Sequence, residues 1–296
     1  MMFSKPEGGI VNSIKIGIIG GSGIYDIEGV QDVETQVVDT PFGKPSDALI
    51  IGTLNGVRFA FLPRHGRGHK VAPSELNFRA NIFAFKKLGV EQILSISAVG
   101  SLKEELRPRD FVIPDQLYDR TKCRVNTFFG DGIVAHVGFA EPFCPGLRAL
   151  TYDTCRDLGI SVHKGGTYVC IEGPQFSTRA ESKVYRQLGF SIIGMTNIPE
   201  AKLAREAEMC YVTIALVTDY DVWKEDEEVT LEQVLSNLNA NSGNAKKIIR
   251  EILPKLDRQR TCACSSALAA ALVTKRDAMP QETVNKLQPL IGKYVK

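Results

Sequence analysis

The sequence predicts an α/β fold, a single domain on a mixed, twisted sheet flanked by helices, and three observations lead there. Short apolar runs bounded by turn residues recur along the chain, and segments of helical periodicity lie between the later ones. Asn55-Gly56 joins two of these runs with the residues of a type I′ turn. Strands alternating with helices favour parallel pairing, whereas the hairpin demands one antiparallel pair, so the sheet is mixed.

Taken in order, the strand segments are Ile14 to Ile19, Ala48 to Leu54, Val57 to Leu62, Ile93 to Val99, Phe111 to Ile113, Tyr168 to Ile171, Ser191 to Met195 and Tyr211 to Val217. The first helix is read from Leu76, Ala80, Phe83, Ala84 and Lys87, with Gly89 as its stop. Further helical segments run from Leu147 to Leu158, Arg179 to Leu188, Pro199 to Met209 and Leu231 to Leu253. From Thr261 onward a last helix with a polar tail is expected. Residues 1–13 read as a flexible N-terminus and 14–296 as one domain, with no repeat, low-complexity tract or linker to divide it. A chain of 296 residues is near the upper size of a single core.

Composition narrows the function classes. A net charge of +2 and a pI near 8.1 are too balanced for a nucleic-acid surface, so any basic groups that matter are local. The first nine residues lack the apolar core of a signal peptide, and no apolar run approaches the ~20 residues of a membrane span. A cytoplasmic location is the expectation. The seven cysteines show no CxxC pair and no metal-like spacing with histidine, and most read as small apolar residues. Cys262-Ala-Cys264 reads either as two helix-flanking thiols or as a disulfide. His65 and His69 have the spacing of a helical zinc pair, but Gly66 and Gly68 argue against a helix there. No metal is expected.

The glycine cluster Gly20-Gly-Ser-Gly23 follows the first strand and suggests a phosphate. The dinucleotide fingerprint G-x-G-x-x-G fails, because Asp26 or Ser22 stands where a glycine is required. Phe42-Gly43-Lys44 fails as a P-loop because Pro45 replaces the magnesium-binding hydroxyl. What remains is a turn of backbone N–H groups with the Ser22 hydroxyl, as consistent with a structural turn as with an anion site. Three other strand ends shift that balance: one delivers Arg64 and His65, another ends in Ser97, Ala98 and Gly100, and a third in Met195-Thr196. Ligands of open α/β sheets collect at carboxyl strand ends, so these donors converge on one phosphate-sized site. A fifth strand ends in Thr218-Asp-Tyr-Asp221, two acids suited to a heterocycle: one donates to a ring nitrogen and the other accepts from an exocyclic amine. Glu172-Gly-Pro-Gln-Phe-Ser177 adds Phe176, an aromatic able to stack on a base.

These segments, with Asp39-Thr-Pro-Phe-Gly-Lys-Pro-Ser46, Arg64-His-Gly-Arg67 and Pro199-Glu200, resemble in matching order the methylthioadenosine phosphorylases of the purine nucleoside phosphorylase superfamily, over roughly residues 14 to 255. The resemblance implies a partly barrel-like sheet, a homotrimer, and a nucleoside and phosphate as small-molecule substrates, with no nucleic acid or membrane partner. It implies no cofactor, since inorganic phosphate is a cosubstrate, and a place in purine and methionine salvage. By the same resemblance Ser22, Arg64, His65, Ser97, Ala98 and Thr196 bind phosphate. Met195 lies beneath the ribose, Phe176 beside the base with Tyr220, and Asp219 and Asp221 face N7 and the 6-amino group, Asp219 as the catalytic acid. Ser177 and Leu231 tune the base and alkylthio pockets. Ser22 and Ser97 stand where relatives often carry Thr, and Leu231 where animal enzymes carry the smaller valine.

Overall fold

The computed structural model describes residues 14–21, 27–224, 230–256 and 260–295. The strands are β1 (Ile16–Gly20), β2 (Gln31–Gln36), β3 (Leu49–Leu54), β4 (Val57–Pro63), β5 (Gln92–Ser101), β6 (Phe111–Ile113), β7 (Gln116–Arg120), β8 (Val162–Lys164), β9 (Thr167–Ile171), β10 (Ile192–Gly194) and β11 (Cys210–Asp219). The α-helices are α1 (Phe78–Lys87), α2 (Pro145–Asp157), α3 (Arg179–Gln187), α4 (Asn197–Glu206), α5 (Leu231–Leu256) and α6 (Gln281–Ile291). All eight expected strand segments and all five of the first helices are present, each within a few residues of its expected bounds.

The strands form one mixed sheet in the order β2-β3-β4-β1-β5-β10-β9-β7, with β11 on β5, β6 on β11 and β8 on β6. Asn55 and Gly56 sit at φ +52° and +77°, the left-handed pair that a type I′ turn needs, and Leu54 faces Val57 across the hairpin. Three strands escape the apolar-run criterion. In β2 all six residues are exposed on an edge, and β7 and β8 are short and carry polar residues. Backbone pairing, not a buried face, defines them.

Side chains alternate across the sheet as a two-residue period requires. Ile93 and Tyr211 join the layer under α1, α4 and α6, whereas Leu94 and Val212 join the layer under α2 and α5. A third cluster, Val99, Val112, Tyr168, Cys170, Ile192, Ala215 and Val217, gathers inward residues of β5, β6, β9, β10 and β11 into a barrel-like interior.

The end of the chain departs from expectation. Instead of one helix from Thr261, two short 3₁₀ turns at Ala263–Ser266 and Arg276–Ala278 precede α6, which begins after Pro280. Pro280, the N-cap of α6, has extended backbone and no N–H to donate into a preceding turn, so it sits at the helix start without loss of a hydrogen bond. Nor is the tail wholly polar, since Leu287, Leu290 and Ile291 are buried against the α1 layer.

Candidate functional site

The central strand β5 has three neighbours, and how they share it makes the site. Along one edge β1 pairs with Gln92 to Ser95, and β10 takes over only at Gly100 and Ser101. Between them, among the described residues, Ile96 to Val99 pair only with β11 on the other edge. The sheet splits at this gap, the kind of switch point where α/β sheets bind ligands. A cavity of about 270 Å³ opens there, lined by Ile96 to Gly100 and by the ends of β4, β10 and β11.

Of the expected phosphate set, Arg64, His65, Ser97, Ala98 and Thr196 line this cavity. Ser22 lies outside the described residues, although Gly21 beside it is in the lining. Phe176, Ser177, Met195, Asp219, Asp221 and Leu231 line the same cavity. Tyr220 is a correction: it is not in the lining, and its hydroxyl donates to the Glu104 carbonyl (3.2 Å) while its ring meets Trp223 edge-on. The chain turns here, with Asp221 in the left-handed region at φ +54°, so both acids reach the cavity while the residue between them does not.

Arg64 follows β4, whose ladder to β1 continues through an Arg64 N–H···O bond to Gly20 of 2.9 Å. Its guanidinium is 2% exposed and largely committed. Nε and Nη2 donate to the Glu200 carboxylate at 2.6 and 3.2 Å, Nη2 also to Ser95 Oγ at 2.7 Å, and Nη1 to the Ile96 carbonyl at 2.8 Å. The bidentate fork expected to hold an oxyanion therefore holds Glu200, and one Nη1 hydrogen is left by these partners. Glu200, fully buried at the start of α4, also accepts from Tyr211 Oη at 2.9 Å. It was quoted in the sequence motif without a role; its role is to fix Arg64.

His65 Nδ1 lies 2.9 Å from the Val71 carbonyl, an acceptor, so Nδ1 carries the proton and Nε2 the lone pair. Burial, and then the neighbouring Arg64 charge, pull its pKa down to about 4, so the ring is neutral near pH 7. It stacks on His69 at 4.3 Å, which is why the i, i+4 histidines form a ring pair on a turn and not a helical metal site. Ser97 Oγ on β5 and Thr196 Oγ1, between β10 and α4, are 2.8 Å apart.

At the far end, Asp219 closes β11. Its Oδ2 accepts from Thr218 Oγ1 at 2.7 Å and its Oδ1 from the Asp221 N–H at 2.8 Å. Burial raises the Asp219 pKa, and burial with the adjacent Asp219 charge pushes Asp221 up to about 6. Asp221 Oδ2 and Ser177 Oγ are buried without a hydrogen-bond partner among the described residues, two unsatisfied polar atoms on residues of one cavity wall. Gly100 makes room for the acids: a Cβ there would come within 2.9 Å of Asp219 Oδ1 and 3.4 Å of the Asp221 Cβ. Ser97 and Gly100, the β5 residue paired with Asp219, are three residues apart, about 10 Å along the strand.

The third wall is one face of α5. Leu231, Val234, Leu235 and Leu238 follow the i, i+3, i+4, i+7 spacing, and the last three were legible in the sequence although only Leu231 was singled out. Leu231 and Phe176, 65% and 50% exposed, form the rim. Arg124, also unforeseen, braces the opposite side: Nη1 donates to the Met195 and Ile198 carbonyls, at 2.7 and 2.5 Å, and Nε to Glu172 at 3.2 Å.

Comparison with known proteins places the chain in a family. The sequence profile of the phosphorylase superfamily matches residues 15–254. The chain is 58% identical over 281 residues to the S-methyl-5'-thioadenosine phosphorylase of Koribacter versatilis, covering 95% of this chain and 96% of that one. It also superposes, with a TM-score of 0.89 and 49% identity, on a methylthioadenosine phosphorylase from an Antarctic soil metagenomic library, covering 94% and 99% of the two chains. A Schistosoma mansoni methylthioadenosine phosphorylase in complex with adenine matches with a TM-score of 0.82 and 38% identity, over 91% of this chain and 100% of that one.

Proposed function

Because this chain belongs to the phosphorylase superfamily, we infer that its cavity binds a nucleoside and inorganic phosphate and cleaves the N-glycosidic bond. The protein is a pentosyltransferase that converts 5'-methylthioadenosine and phosphate into adenine and 5-methylthioribose 1-phosphate. One observation carries the reading: a cationic, hydroxyl-bearing end and a paired-carboxyl end lie about 10 Å apart along β5 in a single cavity. That spacing suits a phosphate at one end and a purine at the other.

In this reading the reaction breaks the C1′–N9 bond and forms a bond from a phosphate oxygen to C1′. Arg64, Ser97 and Thr196 hold the phosphate beneath C1′, where its negative charge stabilises the oxocarbenium-like transition state. His65, neutral with Nε2 free to accept, takes a phosphate O–H and adds no second cation. Electrons released from the glycosidic bond flow into the purine, and Asp219 donates a proton to N7 as they arrive. Burial favours the protonated acid this step needs. Asp221 accepts from the 6-amino group through its unpartnered Oδ2. Two acids in this position favour a 6-amino over a 6-oxo purine. The apolar α5 wall suits a methylthio tail, and rejects a hydroxyl in its place only weakly, by ~10²-fold.

Homotrimeric assembly and a cytoplasmic role in purine and methionine salvage complete the proposal and rest on the family resemblance; sedimentation of the purified protein tests the trimer. The decisive assay is adenine release from methylthioadenosine with and without phosphate, beside adenosine, inosine and methylthioinosine. Release that requires phosphate and prefers methylthioadenosine is expected. Phosphate-independent release, or none, overturns the reaction, and a preference for inosine overturns the base assignment.

A further inference from the structure

At the opposite end of β11 from Asp219, four cysteines far apart in sequence converge. Cys144 precedes α2, Cys210 opens β11, and Cys262 and Cys264 follow α5. Their sulfurs all lie within 4.8 Å of one another, and three of the four residues are buried. The remaining cysteines, Cys123, Cys155 and Cys170, take no part. Spread over nine residue steps at about 3.3 Å, β11 places this cluster roughly 30 Å from the catalytic acid.

We propose that Cys144, Cys210, Cys262 and Cys264 form a structural binding site for a thiophilic divalent cation of zinc type. A tetrahedron of sulfurs around zinc at 2.3 Å bonds has edges of about 3.8 Å, within the observed spread. The grouping is one of four mutual neighbours, the arrangement that a single central ion needs. Four thiolates around a divalent ion carry a net charge of −2, and the surroundings offset it. Arg260 and Lys255 line the same small cavity as Cys144, Cys210 and Cys262. Cys144 is the N-cap of α2, so its sulfur belongs to the residue at the helix start, where the macrodipole favours negative charge. The cavity of about 200 Å³ supplies an entry path. Binding displaces the thiol protons to solvent, and no oxidation is involved.

The ion would tie the segment after α5 to β11 and α2. Sequence spacing could not reveal the site, because its ligands are separated by 66 and 52 residues and only the CxC pair is local.

The test uses the full-length protein, reduced and desalted without oxygen, and titrated with Co²⁺ and then Zn²⁺. Saturation at one Co²⁺ per chain is expected, with intense sulfur-to-metal charge transfer and the visible absorption of tetrahedral cobalt thiolate, then displacement by one Zn²⁺. Cys264→Ser should weaken cobalt binding at least tenfold and alter the spectrum, whereas Cys123→Ser, outside the cluster, should bind as the parent does. The proposal is overturned by absence of saturable uptake, or by binding that Cys264→Ser and Cys262→Ser leave unchanged. It is equally overturned if the protein as purified holds no metal and its mass under non-reducing conditions shows the cluster cysteines paired as disulfides. The unmutated titration decides the matter even where a variant fails to fold.

Discussion

Both oxygens of Asp219 already accept hydrogen bonds from the protein, from Thr218 Oγ1 and the Asp221 N–H. N7 carries no hydrogen, so the residue serves it only through a proton of its own, and burial shifts the acid toward that protonated form. Asp219→Ala should lower kcat by roughly 10²-fold to 10⁴-fold, the usual worth of a positioned acid; near-parental turnover would remove it from the chemistry. Asp221 acts in the other sense, because an acceptor for the 6-amino group must be ionised. Its pKa of about 6 predicts that kcat/KM for methylthioadenosine at saturating phosphate rises with pH through about 6. In Asp221→Asn that limb should vanish, and its persistence would assign the ionisation to another group. Glu200 binds nothing in the cavity, yet Glu200→Gln leaves the Arg64 cation buried without its partner. Loss of about 3–5 kcal/mol is expected for breaking such a pair, read by urea unfolding, with a raised phosphate KM in whatever folds. Unchanged stability would mean that Arg64 reorganises freely.

At the scale of elements, the site is a consequence of β5 changing partners. Among the described residues, Ile96 to Val99 are unpaired on one edge, where the cavity opens; the end of β10 leads to Thr196 there, and β11 on the other edge brings Asp219. Helix α5 holds the acid-bearing strand end: Asn237 Nδ2 donates to the Thr218 carbonyl at 2.7 Å and Asn241 Nδ2 to the Val217 carbonyl at 3.2 Å. At Gly194, at the end of β10, an added Cβ would sit 2.0 Å from the buried Tyr168 hydroxyl. Gly194→Ala therefore pushes β10 or Tyr168 aside, and with it the Ser97–Thr196 hydroxyl pair that Tyr168 touches. Overpacking of this kind costs about 1–3 kcal/mol. The expected signature is a raised phosphate KM together with a lowered melting temperature. Tyr168→Phe in the same background should recover part of both, and its failure to do so would exclude the steric cause.

Across the whole molecule, two buried acids bias the pH dependence of folding. Glu206, held against Thr127 and the Phe128 N–H, is pushed by burial from 4.5 to about 6, and Asp221 from 3.8 to about 6. Both folded values exceed the unfolded ones, so each contribution is fully present below the unfolded value and is lost as pH rises through about 6. Glu206→Gln removes one of them. Between about pH 4.5 and 6 the stability of the variant should rise more steeply with pH than that of the parent, as read from urea midpoints at several pH values. Parallel curves would show that Glu206 ionises alike in both states.

What the sequence determined by itself was whatever local physics controls. The apolar runs, the Asn55-Gly56 turn and the helix periods each depend on neighbours a few residues away, and the polar groups closing the strands could be listed in advance. Edge strand β2 has no apolar signature because its residues are all exposed, and the segment after Thr261 forms two 3₁₀ turns before α6 starts after Pro280, which the composition of the tail does not distinguish from one helix. Only the tertiary structure decided that the Arg64 fork belongs to Glu200, 136 residues away, that Tyr220 turns from the cavity, and that four cysteines share one corner. Contacts of that kind are set by which strands β5 accepts along each part of its length, and strand pairing over such separations leaves no periodic trace in the chain.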